Sequence, residues 1–107
     1  IYTRIDPEHQ AVFSAKVITE MLRGSLGFDK VVISDDLGAA ASVSSVPAGE
    51  RATRFLQAGG DVVITADPQL VRPMAQAILD LAGNDQAFAD EITTKATRVL
   101  QLKASFA

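Results

Sequence analysis

Apolar and polar positions along this chain follow two rhythms. After Ser14, apolar residues fall at Val17, Ile18, Met21, Leu22 and Leu26, three or four apart. That is the spacing of a helix with one buried face. Lys16, Glu20 and Arg23 fall on its other side. The Ser14 hydroxyl suits the N-cap, and Gly27 suits a helix end with positive φ. The rhythm then changes. Val31-Val32-Ile33-Ser34-Asp35-Asp36 is β-branched and apolar on consecutive positions, and it closes on two carboxylates. Such a run predicts a strand covered on both faces, as in a parallel sheet.

The same two rhythms recur downstream. Residues 1–13 show neither and read as a loop, while residues 37–46 are mostly small and read as a loop or weak helix. Pro47 suits the first position of a helix that Arg51, Ala52, Phe55 and Leu56 continue and Gly59-Gly60 stops. Asp61-Val62-Val63-Ile64-Thr65-Ala66-Asp67-Pro68 repeats the strand pattern. Leu70, Met74, Ala77, Ile78 and Leu81 predict a helix that becomes regular near Pro73 and ends at Gly83-Asn84. Asp85 can cap a last helix with Phe88, Ile92, Ala96, Val99 and Leu100 on one face. Strands alternating with helices predict an α/β fold of βα units with parallel strands.

The two strand segments align without a gap, which makes each a control for the other. Both carry a small hydroxyl residue (Ser34, Thr65) and an Asp two positions later (Asp36, Asp67). Asp36 and Asp67 therefore read as strand-end caps for free N–H groups. Asp35 has no such counterpart, because Ala66 stands in its place. It lies at the C-terminal end of a predicted parallel strand, where α/β active sites are built. From the residues alone it could be a glycosyl-transfer nucleophile, a phosphate acceptor or a magnesium ligand. Neighbours on an extended strand point to opposite faces, which argues against Asp35 and Asp36 sharing a metal.

Composition narrows the classes. The chain has 107 residues, enough for one domain. Its net charge of −3 disfavours nucleic acid as a partner. It has no cysteine, so thiolate metal sites and cysteine nucleophiles are excluded. No apolar run reaches the roughly 18 residues of a membrane helix, and nothing at the start reads as a signal peptide. Cytoplasmic and exported locations both stay open. His9, the single histidine, reads as a solvated loop residue beside Glu8, and Arg51 and Arg54 read as solvated helix faces. Gly59-Gly60 precedes a strand instead of following one, so it reads as a helix stop and not as a phosphate cradle.

Leu22-Arg23-Gly24-Ser25-Leu26-Gly27-Phe28, leading through the strand to Ser34-Asp35-Asp36-Leu37, closely resembles the nucleophile segment of glycoside hydrolase family 3. Phe13-Ser14, Ala58-Gly59-Gly60-Asp61 and Arg98-Val99-Leu100 with Lys103 resemble family motifs on either side. The form of the nucleophile segment is most similar to the β-N-acetylglucosaminidase branch. The resemblance implies a (β/α)8 barrel, retaining hydrolysis of a terminal β-linked sugar, no cofactor and no metal, with Asp35 as the nucleophile. It implies that residues 1–107 are the C-terminal part of the barrel domain and that the chain is inactive alone, since the segments that supply the acid/base precede Tyr2 in family order. Self-association, or pairing with the missing barrel portion, follows from the open sheet edges. Two departures stand out: Lys30 replaces a usual Gly, and Gly38-Ala39 replaces a Ser-Met pair. A small phosphoacceptor or magnesium-binding regulatory domain is the alternative.

Overall fold

In a computed structural model, residues 1–38 and 43–106 are described. The reading of residues 37–46 falls partly on 39–42, which lie outside the described residues. Two short parallel strands, β1 (Ile33–Asp36) and β2 (Val62–Ile64), pair side by side. Around them stand a first helix (Lys16–Ser25) and three α-helices: α1 (Ala48–Ala58), α2 (Val71–Asn84) and α3 (Gln86–Ala104). The first helix is wound wide, in the π manner, and Leu26 N–H reaches back five residues to Met21 O. Single 3₁₀ turns occupy Ala11–Phe13 and Pro68–Leu70.

Local chemistry sets the boundaries. Ser14 Oγ accepts the Val17 N–H at 3.2 Å, and Gly27 has φ 69°. Pro47 stands one residue before α1, with Ala48 opening the helix. Gly59 ends α1 at φ 121°, a conformation that disfavours any side chain. The ring of Phe55 fills the space where a side chain on Gly60 would stand. Pro73 is the third residue of α2, where its missing N–H costs no intrahelical bond. Asp85 Oδ1 accepts the Phe88 N–H at 3.2 Å and opens α3.

β1 starts later than the apolar run predicts. The Val32 N–H is taken by the Asp61 carboxylate at 2.9 Å, and Val32 O accepts from both Asp61 and Val62 N–H. The regular ladder therefore begins at Ile33, and both Asp35 and Asp36 lie inside the strand.

The core gathers Ile18, Leu37, Val43, Ala52, Phe55, Leu56, Met74 and Phe88 between α1 and its neighbours. α1 packs on α2, and α2 on α3. Three expectations need correcting. Leu100 is 64% exposed, whereas Lys95 is buried, its Nζ donating to Gly60 O at 2.7 Å. Arg51 is no solvated residue: its guanidinium donates to Val46 O at 2.7 Å and Leu37 O at 3.0 Å. Among the described residues the sheet is covered on one face only. Val32 and Val63 pack on the core, while Ile33 and Ile64 are exposed on the other side. No helix among the described residues is long and apolar enough to cross a membrane.

Candidate active site at the end of the first strand

The pairing of β1 with β2 slips within one turn of chain. Ile33 pairs with Val62 and Asp36 with Ile64, so three steps on β1 match two on β2. The hydrogen bonds show how. Ile64 N–H donates to the Ser34 hydroxyl at 2.9 Å. Ile64 O accepts from Leu37 N–H at 2.9 Å. Ser34 Oγ in turn donates to Asp35 O at 2.6 Å. Asp35 therefore sits within a β-bulge, a device that re-aims side chains beside active sites.

Ser34 is buried, and Asp35 is exposed on the same open side as Ile33. Asp35 Oδ1 accepts the Asp36 N–H at 2.8 Å, and Oδ2 has no hydrogen-bond partner among the described residues. One oxygen fixes the carboxylate's orientation and the other faces outward. Asp36 behaves differently. Its Oδ1 accepts from Gly38 N–H at 2.8 Å and from Ala66 N–H at 3.0 Å, joining the ends of both strands. Asp67 Oδ1 accepts the Gln69 N–H at 2.9 Å at the start of the following turn. Among the described residues no three carboxylates or imidazoles converge on one point.

The loop after Asp36 is held from two sides. Arg51 reaches back from α1 to Leu37 O, and Thr65 packs against Gly38 so closely that a side chain there would overlap its Oγ1. The Gly at this position is thus matched to the Thr on the neighbouring strand.

At the opposite end of the strands lies a charged cluster that periodicity does not reveal. Asp61 has a fully buried side chain, and Arg23 and Arg98 bind its two oxygens. Burial pushes this carboxyl up, but the Val32 N–H and the Arg98 and Arg23 guanidiniums outweigh it and hold it below its ordinary value. Arg23 also donates to Gly59 O at 3.0 Å and Lys30 O at 2.9 Å. Burial pushes the Lys95 amine down, against the attraction of Asp61 and Glu91. A second cluster ties the leading loop to the first helix: Ser14 Oγ donates to Asp6 Oδ2 at 2.7 Å, and the half-exposed His9 lies 3.1 Å from the same oxygen. His9 and Asp6 line a cleft of about 670 Å³ with Phe13, Lys16, Arg54 and Gln57, and no residue of β1 contributes to it.

The sequence profile described as "Glycosyl hydrolase family 3 N terminal domain" matches residues 1–102. The chain belongs to this family. A beta-hexosaminidase from Xanthomonas oryzae pv. oryzae is 42% identical over 78 residues, covering 73% of this chain and 23% of that protein. A beta-hexosaminidase from Stenotrophomonas maltophilia is 45% identical over the same length, again 23% of its own chain. Among solved structures, a beta-N-acetylhexosaminidase from Beutenbergia cavernae superposes with a TM-score of 0.93 at 39% identity, covering 97% of this chain and 31% of that one. A glycoside hydrolase family 3 beta-N-acetylglucosaminidase from Paenibacillus sp. gives 0.82 at 27% identity, covering 95% and 20%. This glycosyl hydrolase family 3 chain thus spans 23% of the length of the curated relatives it matches.

Family membership gives the charged cluster its meaning. Arg23, Asp61 and Arg98 come from three separate segments that resemble family motifs, and they meet in one ion-pair clamp. Two of those motif segments thus have a structural role at the strand starts, and the third, which holds Arg23, continues to the carboxylate at the strand end.

Proposed function

We propose that the protein to which this chain belongs is a retaining glycoside hydrolase that releases terminal β-linked N-acetylhexosamine. Residues 1–107 form the C-terminal part of its (β/α)8 barrel domain, and Asp35 is the nucleophile. One observation carries this reading: Asp35 is presented on the open side of the sheet, at the C-terminal end of a parallel strand, with one carboxylate oxygen held by the Asp36 N–H. The family match and the beta-hexosaminidase relatives supply the substrate class.

Asp35 Oδ2 attacks the anomeric carbon as the bond to the leaving oxygen breaks through an oxocarbenium-like state. An acid group in the upstream part of the barrel protonates that oxygen, and water then cleaves the glycosyl ester. Retention requires that group about 5 Å from the nucleophile. Asp36 and Asp67 take no part in bond making: Asp36 joins the two strand ends, and Asp67 caps the turn after β2. The open side that carries Ile33 and Ile64 is the barrel interior, covered by the strands that precede this chain in family order. The family match favours this reading over a phosphoacceptor domain.

Treating the intact protein with a 5-fluoro N-acetylglucosaminyl fluoride and mapping the label tests it. A peptide modified at Asp35 is the expected result, and a label on another residue rejects the assignment. The 107-residue chain alone should release no nitrophenol from a nitrophenyl β-N-acetylglucosaminide. Detectable turnover by the pure chain rejects the incomplete-barrel reading.

A further inference from the structure

We propose that Ser34 is a positioning residue for the nucleophile, acting by inserting its hydroxyl into the β1–β2 ladder. The proposal rests on Asp35 being the nucleophile and adds what aims it. In a regular parallel pair the Ile64 N–H bonds to a backbone carbonyl of the neighbouring strand. Here the Ser34 hydroxyl also accepts from that N–H, at 2.9 Å. Its own proton goes to Asp35 O at 2.6 Å, so the hydroxyl bridges two backbone groups at the bulge. The next ladder bond, Leu37 N–H to Ile64 O, is then made one residue late. The extra residue in the count is Asp35. A single buried hydroxyl thus bridges the two backbone groups at the bulge, the Ile64 N–H and the Asp35 carbonyl, and braces the shifted register.

The second strand provides the contrast. Thr65 occupies the position equivalent to Ser34, but its hydroxyl bonds locally, accepting from Asp67 N–H at 3.2 Å. No carboxylate follows it, since Ala66 stands there. The ladder insertion therefore accompanies the strand that presents Asp35. Removing the hydroxyl takes that bridge away and lets the pairing return to the regular register, and the period-2 alternation then turns Asp35 away from its bulged direction. A displacement of the reacting oxygen by about 1 Å costs on the order of a hundredfold in rate.

The experiment uses the intact protein and the same fluorosugar, which loses fluoride as the Asp35 carboxylate bonds to its anomeric carbon. The rate of labelling at Asp35 is compared in wild type, Ser34→Ala and Ser34→Thr, beside the affinity for N-acetylglucosamine. Ser34→Ala should label about a hundredfold more slowly with unchanged sugar affinity, and Ser34→Thr should recover most of the rate. Labelling of Ser34→Ala at the wild-type rate overturns the proposal, as does a parallel loss of sugar affinity, which marks a general structural defect. If Ser34→Ala does not fold, Ser34→Thr decides alone: a folded, unreactive Thr variant overturns the proposal and a reactive one supports it. A wild-type label away from Asp35 overturns the nucleophile assignment itself, and that outcome is read before any variant is made.

Discussion

Thr65 Oγ1 occupies the space that a side-chain carbon on Gly38 would take, so the two residues are fitted to each other across the end of the sheet. Gly38 stands where the family resemblance leads one to expect a serine. Adding a methyl there should cost about 1–3 kcal/mol by overpacking. Gly38→Ala in a Thr65→Ala background should cost measurably less, with a coupling of roughly 0.5–3 kcal/mol in a double-mutant cycle by denaturant unfolding. Equal costs in the two backgrounds would show that the fit is not what excludes the side chain.

Removing the Asp61 carboxylate should be among the most damaging single changes. Its side chain is fully buried, with Arg23 and Arg98 on its two oxygens. Taking one partner from a buried pair costs roughly 3–5 kcal/mol, because the remaining charges lose their compensation. Asp61→Ala is expected at that level and Asp61→Asn below it, since the amide still offers an acceptor to Val32 N–H. Urea midpoints of the two variants check the order.

Acid should loosen the leading loop. The Ser14 hydroxyl, more than the Glu8 and His9 contacts, lowers Asp6 from 3.8 to about 2 against the opposing effect of burial. A folded-state pKa below the unfolded one adds stability that is complete above the unfolded value and disappears as pH falls from 3.8 towards 2. Ser14→Ala removes that contribution along with the N-cap. The difference in midpoint between wild type and Ser14→Ala should hold steady above pH 3.8 and shrink across this window. A difference that stays constant down to the lower limit would contradict the linkage.

The isolated chain should self-associate. Ile33 is 59% exposed and Ile64 41%, on a two-stranded sheet whose open side has no covering layer among the described residues. Exposed strand edges and apolar strand faces favour pairing with another chain. Sedimentation velocity should give a concentration-dependent mass, and Ile33→Lys should lower it. A monomer at every concentration would refute the expectation.

The sequence and the structure agree where the deciding interaction is local. Asp85 capping Phe88 N–H, Ser14 capping Val17 N–H and Gly59 at positive φ are settled within a few residues, and each is visible in the order of residue types. Asp35 stands out in the sequence as a candidate for another reason, because the second βα unit is a copy lacking it. The bulge is not legible: it depends on Ser34 meeting Ile64, 30 residues away, and on a hydroxyl bridging two backbone groups. Lys95 was missed because its stem lies along apolar surface while its amine finds Gly60 O, so its burial has no apolar signature. Arg51 was missed similarly, since its partners are backbone carbonyls whose positions depend on the fold.

The Asp61 clamp also imposes an order on synthesis. Arg23 precedes Asp61 by 38 residues and Arg98 follows it by 37. A growing chain therefore presents the carboxylate with its first guanidinium immediately and withholds the second until α3 has been made. Throughout that interval the start of β2 is held from one side only, and the strand that pairs with Asp36 is fastened last.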